Sequence, residues 1–126
     1  NANPTSMQSA MKNINDWNDR RGRILILGDM YDLGNHSGGE HKNVINYALR
    51  MKELRKLILV GNKFKNEIKE LSELEREKII LIQNRVDDFP LLELTRDSFI
   101  KSKGVVHRYF KSDGAIILIK GSPTFC

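Results

Sequence analysis

Arg23-Ile24-Leu25-Ile26-Leu27-Gly28-Asp29-Met30 sets four consecutive large aliphatic residues directly before a glycine and an acid. This pattern is typical of a buried parallel strand that ends at a sheet edge and turns towards a site. Ligands of open α/β sheets bind outside the carboxyl ends of the strands, so Gly28 and Asp29 are candidates to face one. The alternative is a core strand followed by an ordinary turn, in which glycine permits positive φ and aspartate bonds nearby backbone.

Three further aliphatic runs resemble this strand, at residues 57–61, 79–82 and 115–119. The segments between the four runs are long enough for crossover helices. The pattern therefore predicts an α/β fold with a Rossmann-like, mostly parallel sheet and helices on both faces. Residues 105–110 are predicted to form an edge strand.

Helical spacing of apolar residues precedes and separates these strands. The first helix begins near Pro4, with Asn3 or Thr5 as its cap, and ends within residues 15–22. A second helix is predicted at residues 40–51, a third around residues 64–71, and a fourth is capped by Asp88 and followed by a helical piece near Phe99. The predicted core stripes of the first two helices are Met7, Ala10, Met11, Ile14 and Trp17, and His41, Val44, Ile45, Ala48 and Met51.

A histidine is the first member of the second stripe. In a right-handed strand-helix-strand unit, His41 lies at the same sheet edge as Asp29. Two roles remain open for it: a residue that faces the site, or a hydrogen-bonded structural residue on an inward face.

Composition indicates one ordinary globular domain over residues 1–126, with 40% hydrophobic and 29% charged residues. No aliphatic run approaches the roughly 18 residues that span a bilayer, and no signal-peptide pattern opens the chain, so we expect a soluble, cytoplasmic protein. Cys126 is the only cysteine, which excludes an intrachain disulfide and a CxxC metal pair.

The charge of the chain favours anionic partners, since the net charge is +5 and the isoelectric point about 9.4. Aromatic residues are few, whereas nucleic-acid surfaces usually combine a basic stripe with stacking rings. A free-standing basic module that binds nucleic acid or an acidic partner stays an alternative. Neither a G-x-G-x-x-G motif after the first strand nor a P-loop is present, so the chain alone is not expected to hold ATP.

Three motifs in register carry a resemblance to a known family. They are Asn1-Ala2-Asn3-Pro4-Thr5-Ser6-Met7, Leu27-Gly28-Asp29-Met30-Tyr31-Asp32-Leu33-Gly34 with His41 downstream, and Ile119-Lys120-Gly121-Ser122. Together they resemble the C-terminal domain of the Mur ligases, and within that family the enzymes that add D-Ala-D-Ala to UDP-N-acetylmuramoyl-tripeptide. The resemblance spans nearly the whole chain. A related Mur-type ligase with another amino-acid substrate is the second alternative.

The resemblance implies that this is the third domain of a three-domain, ATP-dependent amide ligase of peptidoglycan synthesis. ATP and Mg²⁺ would be bound mainly by a central domain, and the UDP-sugar by a first domain, neither of which is present here. This domain would supply part of the dipeptide site and close over the nucleotide, excluding water from an acyl phosphate. The isolated domain is expected to be inactive, with no catalytic residue and no metal ligand of its own.

Residue by residue, the resemblance places Asn1 and Asn3 near the nucleotide, and an acid that precedes them in the family falls upstream of Asn1. Asp29 would either hold the substrate ammonium or order its loop, and His41 would lie with it on the substrate side. Lys120 and Ser122 would bind the terminal carboxylate of the dipeptide, unless Lys120 only extends from the strand end to solvent. Two departures from the family pattern are Pro123 in place of arginine and Asp32 in place of glutamate.

Overall fold

The computed structural model describes residues 2–83, 107–111 and 114–121. No helix in these ranges has the length and apolar character that crossing a bilayer requires. The elements, in chain order, are α1 (Pro4–Asn15), β1 (Gly22–Gly28), a 3₁₀ turn (Gly34–His36), α2 (Ser37–Leu49), β2 (Leu54–Val60), a second 3₁₀ turn (Lys65–Ile68), α3 (Glu73–Glu77), β3 (Ile79–Ile82), β4 (His107–Lys111) and β5 (Ala115–Lys120).

The five strands form one sheet in the order β3-β2-β1-β5-β4. Strand β1 runs parallel to β2 and β5, β2 runs parallel to β3, and β4 pairs antiparallel with β5 at the edge. The predicted mostly parallel α/β sheet is therefore confirmed, and so is the edge strand for residues 107–110. Residues 105 and 106 of that prediction lie outside the described ranges.

Alternate strand residues divide the core into two faces, as the two-residue period of a strand requires. Leu25, Leu27 and Leu57 belong to the face that packs against α1 and α2. The predicted helix stripes are buried there except for Trp17, which lies after the end of α1 and is only partly buried. Ile26, Ile58 and Ile119 lie on the second face and are also buried. The predicted helix capped by Asp88 and the predicted helical piece near Phe99 fall outside the part of the chain that the structure describes.

The prediction of a third helix around residues 64–71 is wrong, because no α-helix forms there. Phe64 and Ile68 do pack on the first face, but the chain makes a four-residue 3₁₀ turn over Lys65–Ile68. Ser72 then adopts an extended backbone and caps the short helix α3 through a reciprocal pair of hydrogen bonds with Glu75. The cap at Ser72 therefore starts a separate helix after the predicted segment.

Arg23 fixes the position of α1 on the sheet. Its guanidinium is buried at the start of β1 and donates to the backbone carbonyl oxygen of Ile14 in the last turn of α1, from Nε at 3.0 Å and Nη2 at 2.9 Å. It also donates to the carbonyls of Trp17, Asp19 and Arg21. Because the carboxyl end of α1 is held at the amino ends of the strands, its amino end lies at their carboxyl ends.

Candidate functional site

The order of the strands reverses beside β1. The chain adds β2 and β3 on one side of β1, and β5 and β4 on the other, so β1 and β5 are neighbours at a topological switch point. Leu27 of β1 pairs with Lys120 of β5, which places Asp29 and Lys120 at the same edge. We call this edge, formed by the carboxyl ends of β1, β2 and β5 and the amino end of α1, the carboxyl edge. It is where ligands of open α/β sheets bind.

Asp29 is buried at the carboxyl edge and points towards the loop after β2. Its carboxylate accepts the backbone N–H of Asn62 at Oδ2, 3.2 Å away, and that of Lys63 at Oδ1, 3.1 Å away. Burial raises the pKa of the Asp29 carboxyl above its ordinary value of 3.8, although the N–H of Lys63 and the nearby His41 oppose this. Asp29 therefore orders the neighbouring loop, one of the two roles that the sequence left open.

Close contact with Asp29 requires a glycine in that loop. Gly61 has a φ of +120°, and a Cβ built on it would lie 2.2 Å from Oδ2 of Asp29. Only a residue without a side chain fits both the backbone conformation and the space. Gly61, which ends the second aliphatic run, is therefore in close contact with Asp29, which follows the first run.

His41 is completely buried, with both ring nitrogens engaged inside the chain. Nε2 accepts the backbone N–H of Met30 at 3.0 Å, and Nδ1 lies 2.6 Å from the carbonyl oxygen of Ser37. An Nε2 that accepts requires the proton on Nδ1, which then donates to Ser37. The ring also packs edge-on against Phe64, with centroids 4.6 Å apart. His41 is therefore a hydrogen-bonded residue on an inward face, and its contacts connect α2 with the loops after β1 and β2.

Lys120 lies at the carboxyl end of β5 on the face that packs against α1. It is 3% exposed and lines an open groove of about 630 Å³ along α1, together with Ser6, Ser9 and Asn13. Burial lowers the pKa of the Lys120 ammonium below its ordinary value. The groove therefore combines a desolvated cation with hydroxyl and amide groups that can donate to a carboxylate or phosphate oxygen, and its lining also includes the Lys12–Asp16 ion pair.

Asn3 is the N-cap of α1, one of the two predicted alternatives. Its Oδ1 accepts the N–H of Ser6 at 2.9 Å, and Oγ of Ser6 accepts the N–H of Asn3 at 3.2 Å. The side-chain NH₂ of Asn3 has no hydrogen-bond partner within the described residues. Asn3 thus has a structural role at the carboxyl edge and keeps two donors for a ligand.

The described site residues share one edge but form two groups. Asp29 and His41 hold the loops after β1 and β2, whereas Asn3 caps the start of α1 and Lys120 lies in the groove along that helix. Asn1 and Ser122 are outside the described ranges. The sequence analysis did not identify the two serines of the groove, although Ser6 and Ser9 are spaced three apart on one side of a predicted helix.

Comparison with known proteins identifies the family. Residues 1–122 match the model of the family described as Mur ligase, glutamate ligase domain. This chain belongs to the Mur ligase C-terminal domain family. The crystal structure II of MurF from Acinetobacter baumannii is similar to this Mur ligase domain, with a TM-score of 0.64 and 25% identity over 98% of this chain and 24% of that one.

A second structure of the same protein shows the same fold. The crystal structure I of MurF from Acinetobacter baumannii has a TM-score of 0.62 and 22% identity, and covers 98% of this Mur ligase domain and 23% of the MurF chain. The chain thus spans about a quarter of the length of the MurF structures that it matches.

In residues 2–83, 107–111 and 114–121, no three His, Cys, Asp or Glu side chains come together in a group that would hold a metal ion.

Proposed function

We propose that this chain is the C-terminal domain of an ATP-dependent, cytoplasmic MurF-type ligase that joins D-Ala-D-Ala to UDP-N-acetylmuramoyl-tripeptide. The observation that carries the proposal is the similarity of almost the entire chain to one quarter of MurF, together with the family match. In this reaction a phosphoryl group moves from ATP to the tripeptide carboxylate, releasing ADP. The amine of the dipeptide then attacks the acyl phosphate, so that the amide bond forms as phosphate leaves. The domain contributes binding, orientation and water exclusion.

Lys120 binds the terminal carboxylate of the dipeptide in this proposal, with Ser122 as a neighbouring donor. The burial of Lys120 supports this role, because a charge-assisted hydrogen bond made by a buried ammonium is stronger than the same bond in bulk water. The dipeptide carboxylate would occupy the end of the groove near Lys120. A second anion-binding group in the usual position of the family is lost where Pro123 replaces arginine.

Asn1 and Asn3 form the nucleotide-proximal part of the proposed site. Two donors of the Asn3 amide have no partner in the part of the chain that the structure covers, and its fixed position as a helix cap limits the entropy lost on binding. ATP and Mg²⁺ are assigned chiefly to the central domain of the full-length ligase. Closure of this domain over the nucleotide would bring the carboxyl edge against that domain and exclude water.

Asp29 and His41 act in the proposal by positioning backbone. Asp29 fixes Asn62 and Lys63, and His41 fixes Met30, so the loops after β1 and β2 keep one arrangement at the carboxyl edge. A rigid edge reduces the conformational entropy that the loops lose when the domain binds the substrates.

The description of the matching family names a glutamate ligase domain, so a Mur-type ligase that uses D-glutamate is the second candidate. The two candidates differ in the amine substrate and in the UDP-linked peptide whose carboxylate is activated. The test is amide formation by the full-length protein, given ATP, Mg²⁺ and either UDP-N-acetylmuramoyl-tripeptide with D-Ala-D-Ala or UDP-N-acetylmuramoyl-alanine with D-glutamate. Product from the dipeptide mixture alone supports the proposal, product from the glutamate mixture alone supports the second candidate, and no product from either contradicts both.

A further inference from the structure

An exposed aromatic ring and an exposed ammonium lie together at the carboxyl edge. Tyr31 follows β1 and is 47% exposed, while Lys63 comes from the loop after β2. Nζ of Lys63 lies over the Tyr31 ring, 5.4 Å from its centroid. Since the two residues belong to different loops, the fold itself creates the pair.

The backbone of Lys63 is fixed independently of this contact. Its N–H donates to Oδ1 of Asp29 at 3.1 Å, and Asp29 directly follows β1. The tyrosine ring then restricts the conformations of the lysine side chain, because a cation over an aromatic face is attracted by the negative charge of that face. An anion would therefore meet an ammonium that is already held in place.

The ammonium keeps its capacity to bind an anion. In the described ranges the ion pairs join Lys12 to Asp16, Arg21 to Asp19 and Lys42 to Glu70, and none of them includes Lys63. A lysine ammonium has three N–H donors, and the tyrosine ring lies on only one side of it, so donors remain for an anion. Phosphate and carboxylate oxygens are the groups that such a cation binds best.

We infer that the Tyr31–Lys63 pair is an anion-binding element that contacts a phosphate or carboxylate of an anionic substrate when this domain closes. The inference rests on the proposed ligase function and adds a contact separate from the groove at Lys120. ATP carries phosphates, and UDP-N-acetylmuramoyl-tripeptide carries both phosphates and carboxylates. Because the dipeptide carboxylate is assigned to Lys120, these two substrates are the sources of the anion that the test compares.

The test uses the full-length protein and measures two dissociation constants, one for the ATP analogue AMP-PNP and one for UDP-N-acetylmuramoyl-tripeptide, each with the other present at saturation. We expect Lys63→Gln to raise one of them about tenfold, as for the loss of one charge-assisted hydrogen bond. Lys63→Arg restores most of the affinity, and Tyr31→Leu weakens binding of the same ligand by a smaller factor. The ligand that is affected identifies the source of the anion.

Lys52→Gln is the matched control, since Lys52 is an exposed lysine just before β2, at the opposite edge of the sheet. If Lys63→Gln changes both constants no more than Lys52→Gln does, or lowers only the melting temperature, the pair merely connects two loops and the inference is wrong. Absence of amide formation by the wild-type protein would contradict the proposed function instead, and it is measured separately.

Discussion

The Asp29 carboxylate lies directly against Gly61 at the ends of two neighbouring parallel strands. The carboxylate of Asp29 fills the position that a side chain at residue 61 would need, and the backbone beyond Gly61 donates to it twice. The loop after β2 is therefore built around the acid that follows β1. The position of Lys63 at the carboxyl edge depends on this contact.

Replacement of Gly61 by alanine should destabilise the protein. The φ of +120° is unfavourable for alanine, and its Cβ would collide with the Asp29 carboxylate, so we expect a loss of about 2–4 kcal/mol in the free energy of unfolding. Urea denaturation measures it. Gly39→Ala is the control, because nothing lies within 4 Å of its added Cβ and alanine favours the helix that contains it. Equal stability of the two variants would contradict the contact.

The buried Asp29 carboxyl should make stability depend on pH in the acid range. Because burial raises its pKa in the folded state, the folded protein holds this proton more tightly than the unfolded chain does. The contribution of Asp29 to stability is therefore largest below the ordinary pKa of 3.8 and falls as the pH rises through the folded-state pKa. Asp29→Asn removes this titration.

Denaturation of wild type and Asp29→Asn across the acid range measures the effect. The free energy of unfolding of wild type, relative to that of the variant, should decrease as the pH rises above 3.8. An increase over the same range would mean that the hydrogen bonds from Asn62 and Lys63 outweigh desolvation and lower the pKa.

Arg23 should contribute to stability through its hydrogen bonds to carbonyl groups. In Arg23→Lys, one ammonium replaces a planar group that reaches four carbonyl oxygens, leaving buried acceptors unsatisfied. We expect a loss of about 2–4 kcal/mol, measured by chemical denaturation. Arg50→Lys, at an exposed position after α2, should change stability by less than about 0.5 kcal/mol. A similarly small change at Arg23 would show that the carbonyl contacts are not needed.

The sequence predicted the elements whose signals are local. The aliphatic runs predicted β1, β2, β3 and β5, and Pro4 beside the two candidate caps, Asn3 and Thr5, predicted the start of α1. The carboxyl edge followed from parallel pairing alone. These predictions succeeded because the period of apolar residues and the chemistry of a helix cap act over a few neighbouring positions.

The pairings between distant residues were not predictable from the sequence. Nothing in the first aliphatic run indicates that Asp29 accepts from residues 62 and 63, or that Arg23, which starts a strand, reaches back to α1. His41 illustrates the same limit, since the helical stripe placed it inward but could not choose its partners. Such contacts depend on how the loops after two strands meet, which is a property of the tertiary structure.

The most direct test of the account compares D-Ala-D-Ala with its C-terminal amide as substrates of the full-length protein, using wild type and Lys120→Met. If Lys120 binds the dipeptide carboxylate, wild type should have a KM for the dipeptide about tenfold or more below that for the amide, and Lys120→Met should have similar KM values for both. Equal discrimination by wild type and Lys120→Met, with amide formation intact, would contradict the role of Lys120 in the carboxyl-edge site.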